Sequence, residues 1–178
     1  MHVVDHAVEL VVLLDEAGRS IGTAPKSTMH DADTALHLAF SVYVFNQRGE
    51  VLITRRALGK RTWPGVWTNS FCGHPLPGES QQDAIARRGQ YELGLDLVDL
   101  FVTLPLFRYR ATDASGVVEN EICPVYRATA HTNPVPNPDE VAEYVWTDPA
   151  TLRASALSSP WAFSPWMMLQ LKELTFDA

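Results

Sequence analysis

The chain is short of cysteine, of positive charge and of long apolar runs, and each shortage removes a class of protein. Its 178 residues hold two cysteines, Cys72 and Cys123. A chain of this length buries roughly 70% of its unfolded surface, so it needs no disulfide staple. Both thiols are read as free, as a reducing compartment keeps them. Lys and Arg number 14 against 21 Asp and Glu, a formal net charge of −7. That balance excludes a general nucleic-acid surface, which draws on many cation–phosphate contacts. Any anionic ligand must be held locally, against the overall field. The apolar run at residues 8–14 carries Glu9, is followed by Asp15 and Glu16, and lacks both a basic start and a small-residue cleavage signal. Neither secretion nor a membrane span is expected, and the cytoplasm is the expected location. Repeats and low-complexity tracts are missing too. The nearest thing to a linker, Asn133-Pro134-Val135-Pro136-Asn137-Pro138, is too short to divide domains and reads as a surface loop. One domain over residues 1–178 is expected.

What is present is an ordinary globular composition, 46% apolar and 20% charged. Strand signals fall near residues 8–14, 38–45, 51–54, 101–110, 117–127 and 144–146, with Asn46-Gln47-Arg48-Gly49 closing a hairpin. A helix is predicted from Ser80, whose hydroxyl caps the first turn with Asp83 at the capping-box position, to about Leu93, before Gly94. Further helices begin after Asp148-Pro149 and Ser164-Pro165, where Pro suits a first turn. Strands in the middle, with helices between and after them, indicate an α+β or α/β sandwich.

The densest chemistry lies in Trp63-Pro64-Gly65-Val66-Trp67-Thr68-Asn69-Ser70-Phe71-Cys72-Gly73-His74-Pro75. In an extended segment residues i and i+2 share a side, so Cys72 and His74 are placed to serve one pocket, as proton donor and metal ligand, although one thiol and one imidazole alone establish neither role. Glu119 and Glu121 likewise share a face, with Asn120 pointing away. Alone, such a pair is common on exposed strands, but here its flanks are apolar, and two like charges in such surroundings need a cation or a shared proton. His30 and His37 add two imidazoles. Three His and two Glu make a mixed nitrogen and oxygen shell suited to zinc, manganese or magnesium. Phe107-Arg108-Tyr109-Arg110 turns Tyr109 to the face of Phe107; the commoner fate of such a Tyr is half-burial with its hydroxyl in water. Trp161 and Trp166 flank a helix start, where packing competes with a role beside a cation. Lys26, Arg55, Arg56, Lys60 and Arg61 scatter cations, of which some are plain surface charge.

After Gly73 come five residues, Glu79, seven residues, Arg87, then Glu92, one residue, Gly94 and Leu95. This spacing resembles the Nudix box, the loop–helix–loop that holds a metal ion against a diphosphate. Arg88 stands where that box has the Glu after Arg, and Tyr91 where it has the first Glu of its Glu-Glu pair. The missing carboxylates put diphosphate hydrolysis in doubt. Arg88 and Glu92, four apart, share a helix face; an isolated pair of this kind is a solvated ion pair, whereas this register suggests a phosphate-binding Arg and a metal-binding Glu.

Across nearly its whole length the chain resembles the metal-dependent, flavin-free isopentenyl-diphosphate isomerase family. The resemblance rests on His37-Leu38-Ala39-Phe40, Thr54-Arg55-Arg56-Ala57, residues 63–70, Cys72-Gly73-His74-Pro75, Tyr109-Arg110-Ala111, Glu119-Asn120-Glu121 and Trp161-Ala162-Phe163-Ser164-Pro165-Trp166. It implies a Nudix-like α/β/α sandwich with a mixed sheet, and interconversion of isopentenyl and dimethylallyl diphosphate through a carbocation in isoprene biosynthesis. Position by position it implies Cys72, Glu121 and Tyr109 as catalytic, with His30, His37, His74, Glu119 and Glu121 around one divalent metal. It further implies Glu92 holding Mg2+ at the diphosphate, Lys26, Arg56, Lys60 and Arg88 contacting that diphosphate, and Trp166 beside the cationic carbon. The expected partner is a small isoprenoid diphosphate, with no nucleic acid or membrane, and the expected state is a monomer or weak homodimer. A Nudix diphosphate hydrolase is the alternative; a binding module around a structural zinc leaves Cys72, Tyr109 and Trp166 unexplained. Phe71 and the Pro-rich segment at residues 134–138 receive no role.

Overall fold

A computed structural model describes residues 9–176. In chain order the elements are β1 (Leu10–Leu14), β2 (Ser20–Pro25), α1 (Lys26–Met29), β3 (His37–Leu38), β4 (Phe40–Phe45), β5 (Val51–Arg56), β6 (Trp67–Thr68), β7 (Phe71–Gly73), α2 (Gln81–Leu93), β8 (Leu97–Leu104), β9 (Arg108–Thr112), β10 (Val118–Ile122), β11 (Val125–Ala130), β12 (Val141–Thr147), α3 (Pro149–Ser158) and α4 (Pro165–Glu173), with a 3-10 turn at Pro160–Ala162. One sheet runs β2-β1-β3-β10-β9. The larger runs β12-β5-β4-β11-β8, with β6 paired to β5 and β7 to β4. The pairs β3 with β10 and β4 with β11 are parallel and the others antiparallel, so both sheets are mixed.

All six residues of β4 are buried, as a strand covered on both faces requires. Phe40, Val42 and Val44 pack with Ile85 and Leu93 of α2. Tyr43 and Phe45 pack with Leu152 and Ala156 of α3 and with Trp166, Met167 and Leu171 of α4. Helices thus cover both faces of the larger sheet, the α/β/α sandwich expected from the sequence. Each large apolar side chain so buried contributes roughly 1.5–3 kcal/mol.

Three segments read as single strands are each split between the sheets. Residues 38–45 bend at Ala39, whose N–H reaches the Ile122 carbonyl (2.9 Å). Residues 101–110 break at Pro105 and residues 117–127 at Cys123-Pro124, where proline cannot donate to a ladder. The neighbouring segments 37–45 and 118–130 therefore cross together from one sheet to the other. The first strand begins at Leu10, and Val8 of the expected 8–14 strand lies outside the described residues. β2 had no signal, since Ser20-Ile21-Gly22-Thr23-Ala24-Pro25 is a mostly exposed edge.

The hairpin at residues 46–49 forms with Gly49 at φ 76. Helix α2 begins where expected: Ser80 Oγ accepts the Asp83 N–H (3.1 Å) and donates to the Asp83 carboxylate (2.7 Å). It ends at Gly94 in the left-handed conformation, φ 61. The Pro-rich loop has a job there: Val135 N–H and Asn137 N–H donate to the Leu93 and Glu92 carbonyls (2.8 and 2.9 Å), satisfying acceptors that a helix end leaves open.

Candidate active site

The site lies where the two sheets part. β4 and β5 are paired only at Phe45 and Val51, and the gap beyond is filled by β6 against β5 and β7 against β4. Strand β7 carries Cys72, opposite Ser41 in the antiparallel register, and His74 follows it. Both line a cavity of about 580 Å³, within the usual range for small-molecule sites. In the other sheet, Glu121 pairs with His37 of β3 on one side and Tyr109 of β9 on the other. Cross-strand partners share a face, so the register alone gathers these three, with Glu119 two residues along.

His30, His37, His74 and Glu121 present ligand atoms that all lie within 4.8 Å of one another. His37 Nδ1 faces the Ala35 carbonyl (2.9 Å), which can only accept, so in the neutral ring Nε2 is a bare lone pair. That Nε2 has no hydrogen-bond partner, nor have His30 Nε2 and Glu119 Oε2, although the last two are 3.1 Å apart. Buried polar atoms normally find partners. Lone pairs facing each other without a donor fit a cation, and the nitrogen and oxygen donor set suits a divalent one. Glu119 is anchored through its other oxygen, Oε1, which accepts from Thr62 Oγ1 (2.8 Å) and leaves Oε2 turned to His30. His74 Nε2 is 3.1 Å from Glu121 Oε1, and burial lowers the His74 pKa to about 4. Burial opposes ionisation of Glu121, but when the His37 and His74 rings carry protons their hydrogen bonds and charge outweigh it and hold the carboxyl well below its usual range; against the burial of His37, Glu121 in turn raises the His37 pKa.

Cys72 Sγ lies 3.2 Å from Ser41 Oγ and 3.4 Å from both the Nδ2 and the Oδ1 of Asn69. Burial pushes its thiol up to about 12, against the Ser41 and Asn69 contacts and the Arg56 charge. Burial, reinforced by the Glu121 and Glu119 carboxylates, also raises the Tyr109 hydroxyl well above 10. Both groups therefore hold their protons at neutral pH. Tyr109 is buried, not half-exposed, and stacks on Phe107 at 6.0 Å as the strand alternation implied. Trp166 is also buried and does two things. It packs in the core against Trp63 (5.3 Å) and lines the cavity beside Tyr109 (5.8 Å). Its indole N–H donates to Asn69 Oδ1 (3.0 Å). Trp161 is 83% exposed.

The cations gather around carboxylates. Arg88 and Glu92 are both 6% exposed, not a solvated pair. Arg88 Nε bonds Glu92 Oε1 (3.0 Å), and its Nη2 lies 3.4 Å from Glu140 Oε1. Lys60 pairs with Glu140, and Lys26 with Glu9 (2.9 Å). Arg56 stands over Trp166, 5.4 Å from the ring centroid. The Nudix-box pair is structural: Arg87 binds Glu79 through Nε (2.8 Å) and Nη2 (2.7 Å) and also reaches the His74 carbonyl (3.2 Å). Gly73 is needed where it stands, because an added Cβ would come within 2.7 Å of Phe40 Cζ and 2.9 Å of Arg88 Cγ.

Every residue to which the resemblance gives a site role lies in this cavity or, for His37, in the imidazole cluster at its wall, whereas Arg55 and Trp161 do not line it. Sequence reasoning passed over Glu140, Glu9, Thr62, Ser41 and Asn69. Asn69 stands in the aromatic-rich motif, where its spacing from Cys72 was the available signal. Glu140 follows the Pro-rich loop, and nothing local marks it.

Residues 35–167 match the NUDIX domain model, so fold and site define a Nudix protein. Among its relatives, the isopentenyl-diphosphate Delta-isomerase of Agromyces mediolanus is 61% identical over 170 residues, 96% of this chain and 82% of the relative. That of Clavibacter michiganensis subsp. michiganensis is 63% identical (92% and 84% covered), and that of Klebsiella pneumoniae subsp. pneumoniae 52% (92% and 89%). The chain belongs to the isopentenyl-diphosphate Delta-isomerase family of Nudix proteins. Solved structures that it resembles include the DR0079 protein of Deinococcus radiodurans (TM-score 0.72, 18% identity, 93% of this chain and 98% of that one) and the MutT protein of Methanosarcina mazei (0.61, 18%, 78% and 91%). At that identity they speak for the fold alone.

Proposed function

We propose that this chain interconverts isopentenyl and dimethylallyl diphosphate by adding a proton to one carbon and removing one from another. The observation that carries the reading is one cavity holding a thiol, a Tyr–Glu pair and a tryptophan face beside a cluster of paired cations. An unactivated alkene is a weak base, so its protonation yields a tertiary carbocation that water would trap. The surroundings must be dry and aromatic, and Tyr109 and Trp166 are both buried. An indole face near that cation contributes roughly 0.5–2 kcal/mol.

Toward dimethylallyl diphosphate, Tyr109 and Glu121 act as one proton-donating unit at the terminal carbon, and Cys72 takes the proton from the allylic carbon on the opposite face. The reverse direction exchanges their duties, the thiol giving and the Tyr–Glu unit taking. Ser41, Asn69 and Arg56 favour the thiolate that one direction requires. His30, His37, His74, Glu119 and Glu121 would hold one divalent ion, zinc, manganese or magnesium, and Glu92 a magnesium ion; bound cations sharpen the acidity of nearby donors and offset diphosphate charge. Lys26, Arg56, Lys60 and Arg88 bind the diphosphate oxygens, Arg as a fork and Lys as a point charge. The chain works as one soluble cytoplasmic domain, monomeric or weakly dimeric, without nucleic acid or membrane; among the described residues no helix is long and apolar enough to cross a bilayer.

The test is incubation with isopentenyl diphosphate and, separately, with nucleoside diphosphates, each with added magnesium. Formation of dimethylallyl diphosphate without phosphate release is expected. Release of phosphate or nucleoside monophosphate, without isomerisation, would replace the reading with a hydrolase.

A further inference from the structure

Behind Cys72 runs a chain of buried polar side chains that the chemistry above does not use. Tyr43 Oη donates to Gln170 Oε1 (2.9 Å), Gln170 Nε2 donates to Ser41 Oγ (2.9 Å), and Ser41 Oγ touches Cys72 Sγ (3.2 Å) and Cys123 Sγ (3.3 Å). Ser41 and Gln170 are 0% exposed and Tyr43 is 1% exposed, and none of them lines the cavity. Buried polar groups give less stability than a well-packed apolar core unless they are fully satisfied, and departures from that preference gather at functional sites.

Every bonding position of Ser41 faces a partner. A serine hydroxyl has one proton and two lone pairs. The Gln170 amide N–H fills one lone pair, because Tyr43 donates to the amide oxygen and turns the NH2 toward Ser41. One lone pair and the single proton are left for the two sulfurs. Either contact can carry the Ser41 proton, so Ser41 Oγ holds Cys72 Sγ as donor or as acceptor. The backbone supports the same contact, since Ser41 and Cys72 are direct cross-strand partners.

We infer that Ser41 is a positioning residue for the Cys72 thiol, and that Gln170 and Tyr43 hold Ser41 in the orientation that sets Sγ against the substrate. The inference rests on the proposed proton-transfer role of Cys72. A reacting atom misplaced by about 1 Å loses about 10²-fold in rate, whereas the diphosphate contacts lie elsewhere and are untouched. The expected signature is a fall in kcat at constant KM.

The experiment compares Ser41→Ala, Ser41→Thr, Gln170→Leu, Leu152→Val and Cys72→Ala by steady-state isomerisation of isopentenyl diphosphate and by melting temperature; Leu152 is buried in the same core but away from the cavity. Expected are a fall in kcat of about 10- to 100-fold for Ser41→Ala with KM within about twofold, a smaller fall of the same kind for Gln170→Leu, recovery of most of the rate with Thr at position 41, and kcat within about twofold of the parent for Leu152→Val. If Cys72→Ala is inactive while folded Ser41→Ala keeps the parent kcat, the inference is overturned and the reading of Cys72 stands. If Cys72→Ala itself keeps its rate, that reading falls and takes the inference with it. Equal loss in Leu152→Val and Ser41→Ala would show that the site merely senses core packing, which also overturns it.

Discussion

Glu121 has His37 and Tyr109 as its lateral strand neighbours and His74 at 3.1 Å. One carboxylate therefore connects the imidazole cluster to the only buried phenol that lines the cavity among the described residues. Cys72 approaches the same space from the other sheet. Replacing either proton-transfer group should strike turnover and spare binding: Cys72→Ser and Glu121→Gln are expected to lower kcat by about 10²–10⁴, with KM for isopentenyl diphosphate changed only a few-fold. Steady-state kinetics of the folded variants decide it, and a parent-like kcat in either removes that residue from the mechanism. Sharing of a face between Cys72 and His74, and between Glu119 and Glu121, was legible because it follows from the two-residue period of extended chain. The family resemblance supplied the remaining ligands. Ser41 and Glu140 were not legible, because each is defined by partners 31 to 129 residues away in sequence or 80 residues away.

Helix α2 presents two stripes. Arg88 and Glu92 turn to the cavity, while Ile85 and Leu93 enter the core beneath it. Its ends were readable from Ser80 and Gly94, since caps are local chemistry. The splitting of three strands was not, because whether an apolar run stays in one sheet depends on which strand lies beside it, and Pro105 and Pro124 mark only where a change is permitted. Gly94 holds φ 61 with the Val135 carbonyl oxygen 3.3 Å from an added Cβ. Gly94→Ala should therefore cost about 1–2 kcal/mol of stability in urea unfolding, with kcat of the folded enzyme unchanged. A loss of kcat without loss of stability would mean that this helix end positions the site more directly than its contacts indicate.

For the whole molecule, charge balance near the cavity sets the acid limit of the fold. Glu9 and Glu140 are half-buried, which opposes ionisation, yet Lys26 and Lys60 with Arg88 more than offset it. Glu79 is held mainly by its Arg87 bonds. All three have pKa values lowered from 4.5. Groups depressed on folding add stability above their unfolded pKa and lose it as pH falls through the folded one. Buried His74 also resists protonation, its pKa falling from 6.5 to about 4, so melting temperature should begin to fall below about pH 6.5 and fall further below about 4.5 as the carboxylates are protonated; a melting temperature that rose on acidification below pH 4.5 would contradict the sign. Chelation separates the roles of metal and core. The helices are held on the larger sheet by apolar contacts, whereas the imidazoles gather at the cavity wall, so EDTA should abolish isomerisation while circular dichroism still reports a folded chain. Unfolding on chelation would instead point to a structural metal.

The proposed chemistry exchanges protons on carbon at opposite faces of one cavity. It is tested most directly by incubating the enzyme with isopentenyl diphosphate and magnesium in heavy water and locating deuterium in the product by NMR. Deuterium is expected in a methyl group of dimethylallyl diphosphate, and at least about 10²-fold less of it at that position with Cys72→Ser or Glu121→Gln over the same time. Dimethylallyl diphosphate formed without solvent deuterium, or labelled equally by the parent and both variants, would contradict it.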